Sequence, residues 1–218
     1  MTPEDYRMKY GDARVMGVDR SIVVPYLKDG FTHRRNTVLV EGREAISHSE
    51  WIQKNLKSML RCEAECNPVF KQIIPYVLLE HKPTGRYYMT SRIGGDERLL
   101  DQASLGLGGH IDEGESIEEC LWRELNEEIG LSNDDCSEPS LLGYLFSEKN
   151  EVDSVHLGMV YHISTEREDV SCLEKGKLIG GWFTPHELKE VHNSGHLESW
   201  SRTIFDSLLK EKADEQNQ

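Results

Sequence analysis

Residues 109–131 read GHIDEGESIEECLWRELNEEIGL, and the second half of this stretch decides the fold. Ser116 followed three residues later by Glu119 makes a capping box, which predicts a helix starting at Ile117. Gly130 is a natural terminator just past its end. Placed at 100° steps, Ile117, Cys120, Leu121, Leu125 and Ile129 share one sector and face a core. Glu128 falls near the middle of that sector, Glu124 beside it and Glu127 at its edge, while Arg123 and Asn126 point the other way. Acidic side chains ordinarily occupy the solvated face. Here Glu124 and Glu128 repel one another at i, i+4, and Glu127 and Glu128 stand in the last turn, where the helix dipole favours cations. Arg123 alone does not neutralise three carboxylates, and the helix contains no lysine. Either this is an ordinary acidic helix whose face is drawn slightly off, or a hard divalent cation with oxygen ligands, Mg²⁺ or Mn²⁺, relieves the arrangement.

The chain around this helix reads as strands. FKQIIPYVLLEH (70–81) and RYYMTSRI (86–93) flank the turn Lys82-Pro83-Thr84-Gly85. LLGYLFSE (141–148), VHLGMVYHI (155–163) and KLIGGWF (177–183) follow the helix. Thr184-Pro185-His186-Glu187 opens a further helix, with Thr at the N-cap, Pro at N1 and Glu at N3. A last amphipathic helix is expected over residues 197–209. Upstream, RSIVVPYL (20–27) reads as a short strand, and residues 47–60 as an amphipathic helix capped by Ser47 and Glu50, with Trp51, Leu56, Met59 and Leu60 on its apolar face. Strands interleaved with helices give an α/β or α+β class with helices flanking a mixed sheet. The expected organisation is an N-terminal extension over 1–67, a main domain over 68–213 and a polar tail over 214–218.

Composition narrows the function. The 218 residues carry a formal net charge of -14, which argues against sequence-independent binding to nucleic-acid backbones. Anionic phosphate substrates are compatible with this charge only where bound cations invert the local field. No apolar run is long enough to span a membrane and the N-terminus lacks a secretory pattern, so the expectation is a cytoplasmic protein with no membrane partner and no sequence-specific DNA partner. Five cysteines at irregular spacing do not suggest a disulfide framework, and Cys62 and Cys66 lack the companions of a zinc set. The glycine-rich run Leu105-Gly106-Leu107-Gly108-Gly109 lets backbone approach a ligand closely.

These residues resemble a known family. Gly109, then Glu115, then Arg123-Glu124-Leu125-Asn126-Glu127-Glu128-Ile129-Gly130-Leu131 matches every specified position of the Nudix box, Gly-x5-Glu-x7-Arg-Glu-apolar-x-Glu-Glu-x-Gly-apolar. Leu107 stands where many members carry proline, which leaves the subfamily unassigned. The resemblance implies a mixed sheet between helices and a metal-dependent hydrolase, using Mg²⁺ or Mn²⁺, that cleaves a phosphoanhydride in a nucleoside-diphosphate-linked substrate. It implies metal ligands at Glu124, Glu127, Glu128 and the Gly108 carbonyl, with Glu115 supporting the loop and touching metal through water. Glu124 and Glu127 are then catalytic, Glu124 orienting or deprotonating water, and Arg123 holds the glutamates by salt bridges. Gly108, Gly109 and His110 are candidates for substrate binding.

Such enzymes often use a further group outside the box. Glu174, in the loop before KLIGGWF, is the first candidate, and Glu151, Asp153 and His156 form a second cluster. Tyr87, Tyr88, Trp182 and Phe183 are candidates for stacking on a base, although strand aromatics usually fill cores. The alternatives are a Nudix-fold isoprenoid-diphosphate isomerase and a non-catalytic nucleotide sensor. The partner expected is a small nucleotide or other diphosphate. Residues 1–67 are left open between a cap, an added strand and a homodimer interface.

Overall fold

The computed structural model describes residues 2–33, 38–40, 44–92, 102–173 and 178–215. Its strands are β1 (Arg14–Asp19), β2 (Gly30–His33), β3 (Val38–Val40), β4 (Glu44–Ile46), β5 (Lys57–Leu60), β6 (Phe70–His81), β7 (Arg86–Arg92), β8 (Ala103–Ser104), β9 (Gly106–Leu107), β10 (Ser140–Phe146), β11 (His156–Thr165) and β12 (Leu178–Phe183). Its helices are α1 (Pro3–Tyr10), α2 (Arg20–Val23), α3 (His48–Lys54), α4 (Arg61–Ala64), α5 (Ile117–Ile129), α6 (Glu151–Ser154), α7 (Pro185–Ser194), α8 (Ser199–Ile204) and α9 (Lys210–Glu215). The expected mixed α/β class is met. Most strand pairs are antiparallel, but β11 runs parallel to β6, because Gln72 N bonds Val155 O and Lys82 N bonds Thr165 O at a constant offset. Burial along β6 is nearly unbroken, as befits a strand covered on both faces.

The chain divides into two compact units. The first comprises Met1–Pro75, Gly109–Cys120 and Leu141–Val160. In it β1 lies between β5, paired from Arg14↔Leu60 to Gly17↔Lys57, and the start of β6, paired from Gly17↔Gln72 to Asp19↔Phe70. β2 pairs with β10 from Gly143↔His33 to Phe146↔Gly30, and β3 with β4 forms a separate hairpin. Val15, Ala64 and Phe70 form a small core under Met59. Lys71 is also fully buried, its ammonium donating to the Ser154 carbonyl and, at 3.2 Å, to Glu148, which Arg20 binds at 2.7 Å.

The second unit comprises Tyr76–Gly108, Leu121–Ser140 and Tyr161–Gln218. There β12 pairs with β7 over six residue pairs, β7 with the end of β6 through Glu80↔Tyr87 and His81↔Arg86, and β8 and β9 add short rungs. Val77, Leu79, Tyr88, Leu107 and Ile163 bury Leu121, Leu125 and Ile129 of α5. At about 1.5–3 kcal/mol for each fully buried large apolar side chain, this packing outweighs the helix's unfavourable charge pattern. The expected turn is present, with Thr84 and Gly85 N–H groups donating to the His81 carbonyl.

Three local expectations are corrected. Residues 20–26 are helical rather than extended, because Asp19 caps Ser21 and Pro25 fits the first turn of a 3₁₀ segment over Val24–Tyr26. The helix expected over 47–60 keeps its Ser47–Glu50 box but stops at Lys54. Residues 57–60 become β5, because the backbone bonds offered by β1 override helical periodicity, and Ile52 rather than Leu56 is the buried anchor. The last helix starts at Ser199, capped by Glu198, and passes through a π turn at Phe205–Leu209 before α9. Several strands, β1 and β2 among them, carried no recognised signal.

Candidate active site

The carboxylates sit where α5 meets the core of the second unit. Ser116 and Glu119 form the expected box in the first unit, with the Glu119 N–H donating to Ser116 Oγ at 3.2 Å and the Ser116 N–H to Glu119 Oε2 at 2.8 Å. Gly130 N–H donates to the Asn126 carbonyl at 2.9 Å and ends the helix. Leu125 and Ile129 are buried, which fixes the rotation of the glutamates between them. The Glu124 side chain is 15% exposed and that of Glu127 60% exposed, so they differ as the helical projection requires. Glu128 is half-buried. Arg123 departs from the projection. Its side chain is only 27% exposed, and its Nη1 donates to Glu124 Oε1 at 2.8 Å and to Glu127 Oε2 at 3.3 Å. A long side chain bends back along its helix to meet charges one and four residues on.

A strap crosses the end of this helix. The Leu173 N–H donates to the Glu128 carbonyl at 2.7 Å, satisfying one of the last-turn carbonyls. Burial pushes the Tyr88 phenol up to about 12, with the charges of Cys172 and Glu128 adding to it. Tyr88, Cys172 and Glu128 are thus neighbours. Glu174 follows Leu173 directly but lies outside the described residues. The aromatics are packed side chains: Tyr88 meets Trp182 edge-on at 5.1 Å, the Trp182 indole donates to the Glu168 carbonyl, and Tyr87 accepts from Lys212. Phe183 is half-buried.

The glycine-rich loop is shaped by close approach. A Cβ on Gly106 would lie 1.9 Å from the Tyr76 ring, whose hydroxyl is fixed by Ser104, Ser201 and Glu198. Gly108 adopts φ 147°, a conformation that side chains rarely take. In the first unit, the Glu115 carboxylate accepts the Asp112 N–H at 3.0 Å and closes the turn. The Met16 N–H donates to the Ile111 carbonyl, Val15 bridges Asp112, and Arg14 pairs with Glu113 at 2.9 Å. The Cys120 thiol donates to the His110 carbonyl at 3.4 Å. The His110 ring, half-buried, faces His156 with Nε2 atoms 3.1 Å apart. Burial first, then the charge of Arg61, holds the His110 imidazole well below its usual range, and burial lowers His156 as well. Glu151 is exposed, and Asp153 is turned into its helix cap, accepting from Asn150 at 2.6 Å. Sequence reading missed Glu65, which joins His110 and His156; only a tertiary contact brings it there.

The residues of α5 fit a hard divalent cation. Three carboxylates occupy i, i+3 and i+4 beside one guanidinium, in an oxygen-only set that is partly withdrawn from water. Among the described residues, no helix is long and apolar enough to cross a membrane.

Comparison with known proteins bears on the family and the fold. The family model described as NUDIX domain matches residues 81–205. Protein YmaB of Bacillus subtilis (strain 168) is 33% identical over 165 residues, covering 72% of this chain and 80% of that protein. An uncharacterized Nudix hydrolase, all7351, of Nostoc sp. is 34% identical over 91 residues, covering 42% of this chain and 52% of its own. The crystal structure of Tm1382, provisionally described as a Nudix hydrolase, superposes with a TM-score of 0.71 at 26% identity, covering 91% of this chain and 99% of that one. DR0079 from Deinococcus radiodurans shares the fold, with a TM-score of 0.51 at 19% identity over 79% of this chain and 97% of its own.

Proposed function

Because this chain belongs to the Nudix family and is a hydrolase of that family, we propose that it cleaves a phosphoanhydride in a nucleoside-diphosphate-linked substrate, by attack of water at phosphorus, with Mg²⁺ or Mn²⁺ bound. One observation carries this reading. Arg123 binds Glu124 and Glu127 at once, so two carboxylates of the box are tied to one guanidinium, and Glu128 follows Glu127 in the same turn of α5.

Glu124, Glu127, Glu128 and the Gly108 carbonyl would hold the cation, which supplies charge neutralisation of the phosphates and a more acidic bound water. Glu124, less exposed than Glu127, orients the attacking water and accepts its proton. Arg123 keeps Glu124 and Glu127 in one rotamer each, and its positive charge lowers the cost of bringing their charges together. Glu115 fixes the turn at Asp112. Gly108 and Gly109 let the backbone approach the phosphates without obstruction from a Cβ, and His110 follows them in the same loop. Glu174 remains our candidate for a further general base. The observation that favours it is the Leu173–Glu128 bond, which brings the chain to the glutamate end of α5 one residue before Glu174.

Residues 1–67 act, in this reading, as a built-in brace. β1 adds a strand, and Met16, Val15 and Arg14 hold Ile111, Asp112 and Glu113 in place. Residues 68–213 then form the hydrolase domain, ahead of the tail 214–218.

The test is a panel of nucleotide sugars, dinucleoside polyphosphates, nucleoside triphosphates, coenzymes and capped RNA ends, assayed in isotopically labelled water. We expect phosphate-containing products carrying the label, loss of turnover on chelation, and recovery with Mg²⁺ or Mn²⁺. An isomerised diphosphate product, or tight binding without turnover across the panel, overturns the reading.

A further inference from the structure

We infer that Glu65, His110 and His156 form a second metal site, separate in its chemistry from the α5 carboxylates and suited to a zinc-class ion. All three belong to the first unit. One ligand atom from each lies within 4.8 Å of the others. The two imidazole Nε2 atoms are 3.1 Å apart. Two nitrogens bound to one tetrahedral zinc at about 2.0–2.1 Å stand about 3.3 Å from each other, so the rings need only small adjustments to share an ion.

The tautomers suit ligation. His156 Nδ1 is 2.7 Å from the Val152 carbonyl, and a carbonyl accepts only, so Nδ1 carries the proton and Nε2 offers a lone pair. This backbone partner also fixes the ring's orientation, as outer partners do in metal centres. Without metal, His110 donates its Nε2–H to that lone pair. On metal binding the His110 proton moves to Nδ1 of its own ring, leaving both Nε2 atoms as donors. Ligation requires both rings in the neutral form.

Glu65 supplies the third ligand. It follows α4, and its carboxylate also accepts from Arg61 Nε at 3.4 Å, with the Arg61 guanidinium stacked 4.1 Å over the Tyr10 ring. Arg61 therefore competes with the ion for Glu65 and moderates affinity. A further observation comes from Gln72. The bond from its N–H to the Val155 carbonyl puts Gln72 in register with His156 in a parallel pair, so their side chains leave the same sheet face. Gln72 is fully buried, and its carboxamide oxygen and nitrogen have no partner among the described residues. A water on the open position of a three-ligand ion is the kind of partner such an amide lacks.

Two imidazoles and a carboxylate select Zn²⁺ over Mg²⁺, whereas the oxygen-only set of α5 has the opposite preference. The ion would join the loop at His110, the end of α4 and the start of β11.

The experiment uses the full chain dialysed against micromolar Zn²⁺ in millimolar Mg²⁺, with bound zinc counted by elemental analysis and unfolding followed by temperature. We expect one zinc per chain and a raised melting temperature. His110→Gln, His156→Gln and Glu65→Gln should each weaken zinc binding by about 100-fold. Glu124→Gln combined with Glu128→Gln should retain it, and Arg61→Met should bind more tightly. Zinc retained in the histidine variants, lost in the double glutamate variant, or never bound stoichiometrically overturns the inference. Cobalt loading of the unmodified chain keeps the test decisive if a histidine variant misfolds: intense visible ligand-field bands are expected, and a spectrum of hydrated cobalt refutes the site.

Discussion

The acidic end of α5 and the imidazole pair of His110 and His156 are two proposed donor sets, built in opposite ways. The first comes from one helix, where i, i+3 and i+4 spacing puts Glu124, Glu127 and Glu128 on one side whatever the rest of the chain does. It holds oxygen only, and its charge is offset locally by Arg123. The second takes one residue each from three remote segments and depends on every strand pairing being in register. It pairs two imidazoles with one carboxylate, and all three are half-buried or buried. A set fixed by local spacing tolerates change elsewhere, and a set fixed by tertiary packing does not.

The largest effect should come from breaking the helical set at its centre. Glu124→Gln keeps size and helix propensity, and we expect hydrolysis to fall by about 100-fold or more, equivalent to about 3 kcal/mol of barrier. Its thermal midpoint should stay within a few degrees. A variant with near-normal turnover, measured on whichever substrate the panel identifies, contradicts the assigned role. Next is Gly106→Ala, which probes the loop by packing alone. The added methyl meets a Tyr76 ring that hydrogen bonds keep in place, and about 1–3 kcal/mol of stability should be lost in denaturant titrations. An unchanged midpoint would show that the ring can give way. Arg123→Ala should lower kcat about tenfold with little change in KM, since Arg123 positions carboxylates rather than substrate. A change confined to KM would move Arg123 into substrate binding.

Two smaller effects sharpen the contrast. Glu148 is held at about 2, below its ordinary 4.5, first by its hydrogen bond to Arg20 and then by Lys71. A carboxyl with a depressed folded value adds stability above pH 4.5 and loses it as pH falls towards 2. Unfolding curves of the parent chain should therefore weaken across that window more steeply than those of Glu148→Gln, and parallel curves would remove Glu148 from the account. Ser116→Ala deletes the cap of α5 and should cost about 1 kcal/mol. Circular dichroism melts check this, and turnover at low temperature should hold, because Leu125 and Ile129 still set the rotation of the glutamates.

The same contrast explains what could be read from the sequence. The limits of α5, its buried residues, the 70–81 strand, the Lys82–Gly85 turn and the Thr184 cap all follow from spacing and capping chemistry, and each is found where expected. Residues 57–60 read as helix because the competing partner, β1, lies about forty positions upstream and leaves no mark on local periodicity. Asp19 and Pro25 favour a helical turn at 20–26, whereas the β-branched run Ile22-Val23-Val24 favours an extended one. A helical wheel places Arg123 on the far side because it locates Cβ atoms, whereas the guanidinium reaches along the helix to Glu124 and Glu127. The sequence groups His156 with Glu151 and Asp153, its chain neighbours, whereas its ring also meets His110 and lies near Glu65, which no window of sequence contains.

The parallel alignment of β6 with β11 bears on how the polypeptide reaches its native state. Residue 72 bonds residue 155, so that rung cannot form until most of the chain has left the ribosome. Until then a long, mostly apolar strand waits without one of its neighbours. Long-range closure of this kind slows folding and leaves sticky intermediates exposed, so refolding yield should depend more on protein concentration than the small local hairpins would suggest.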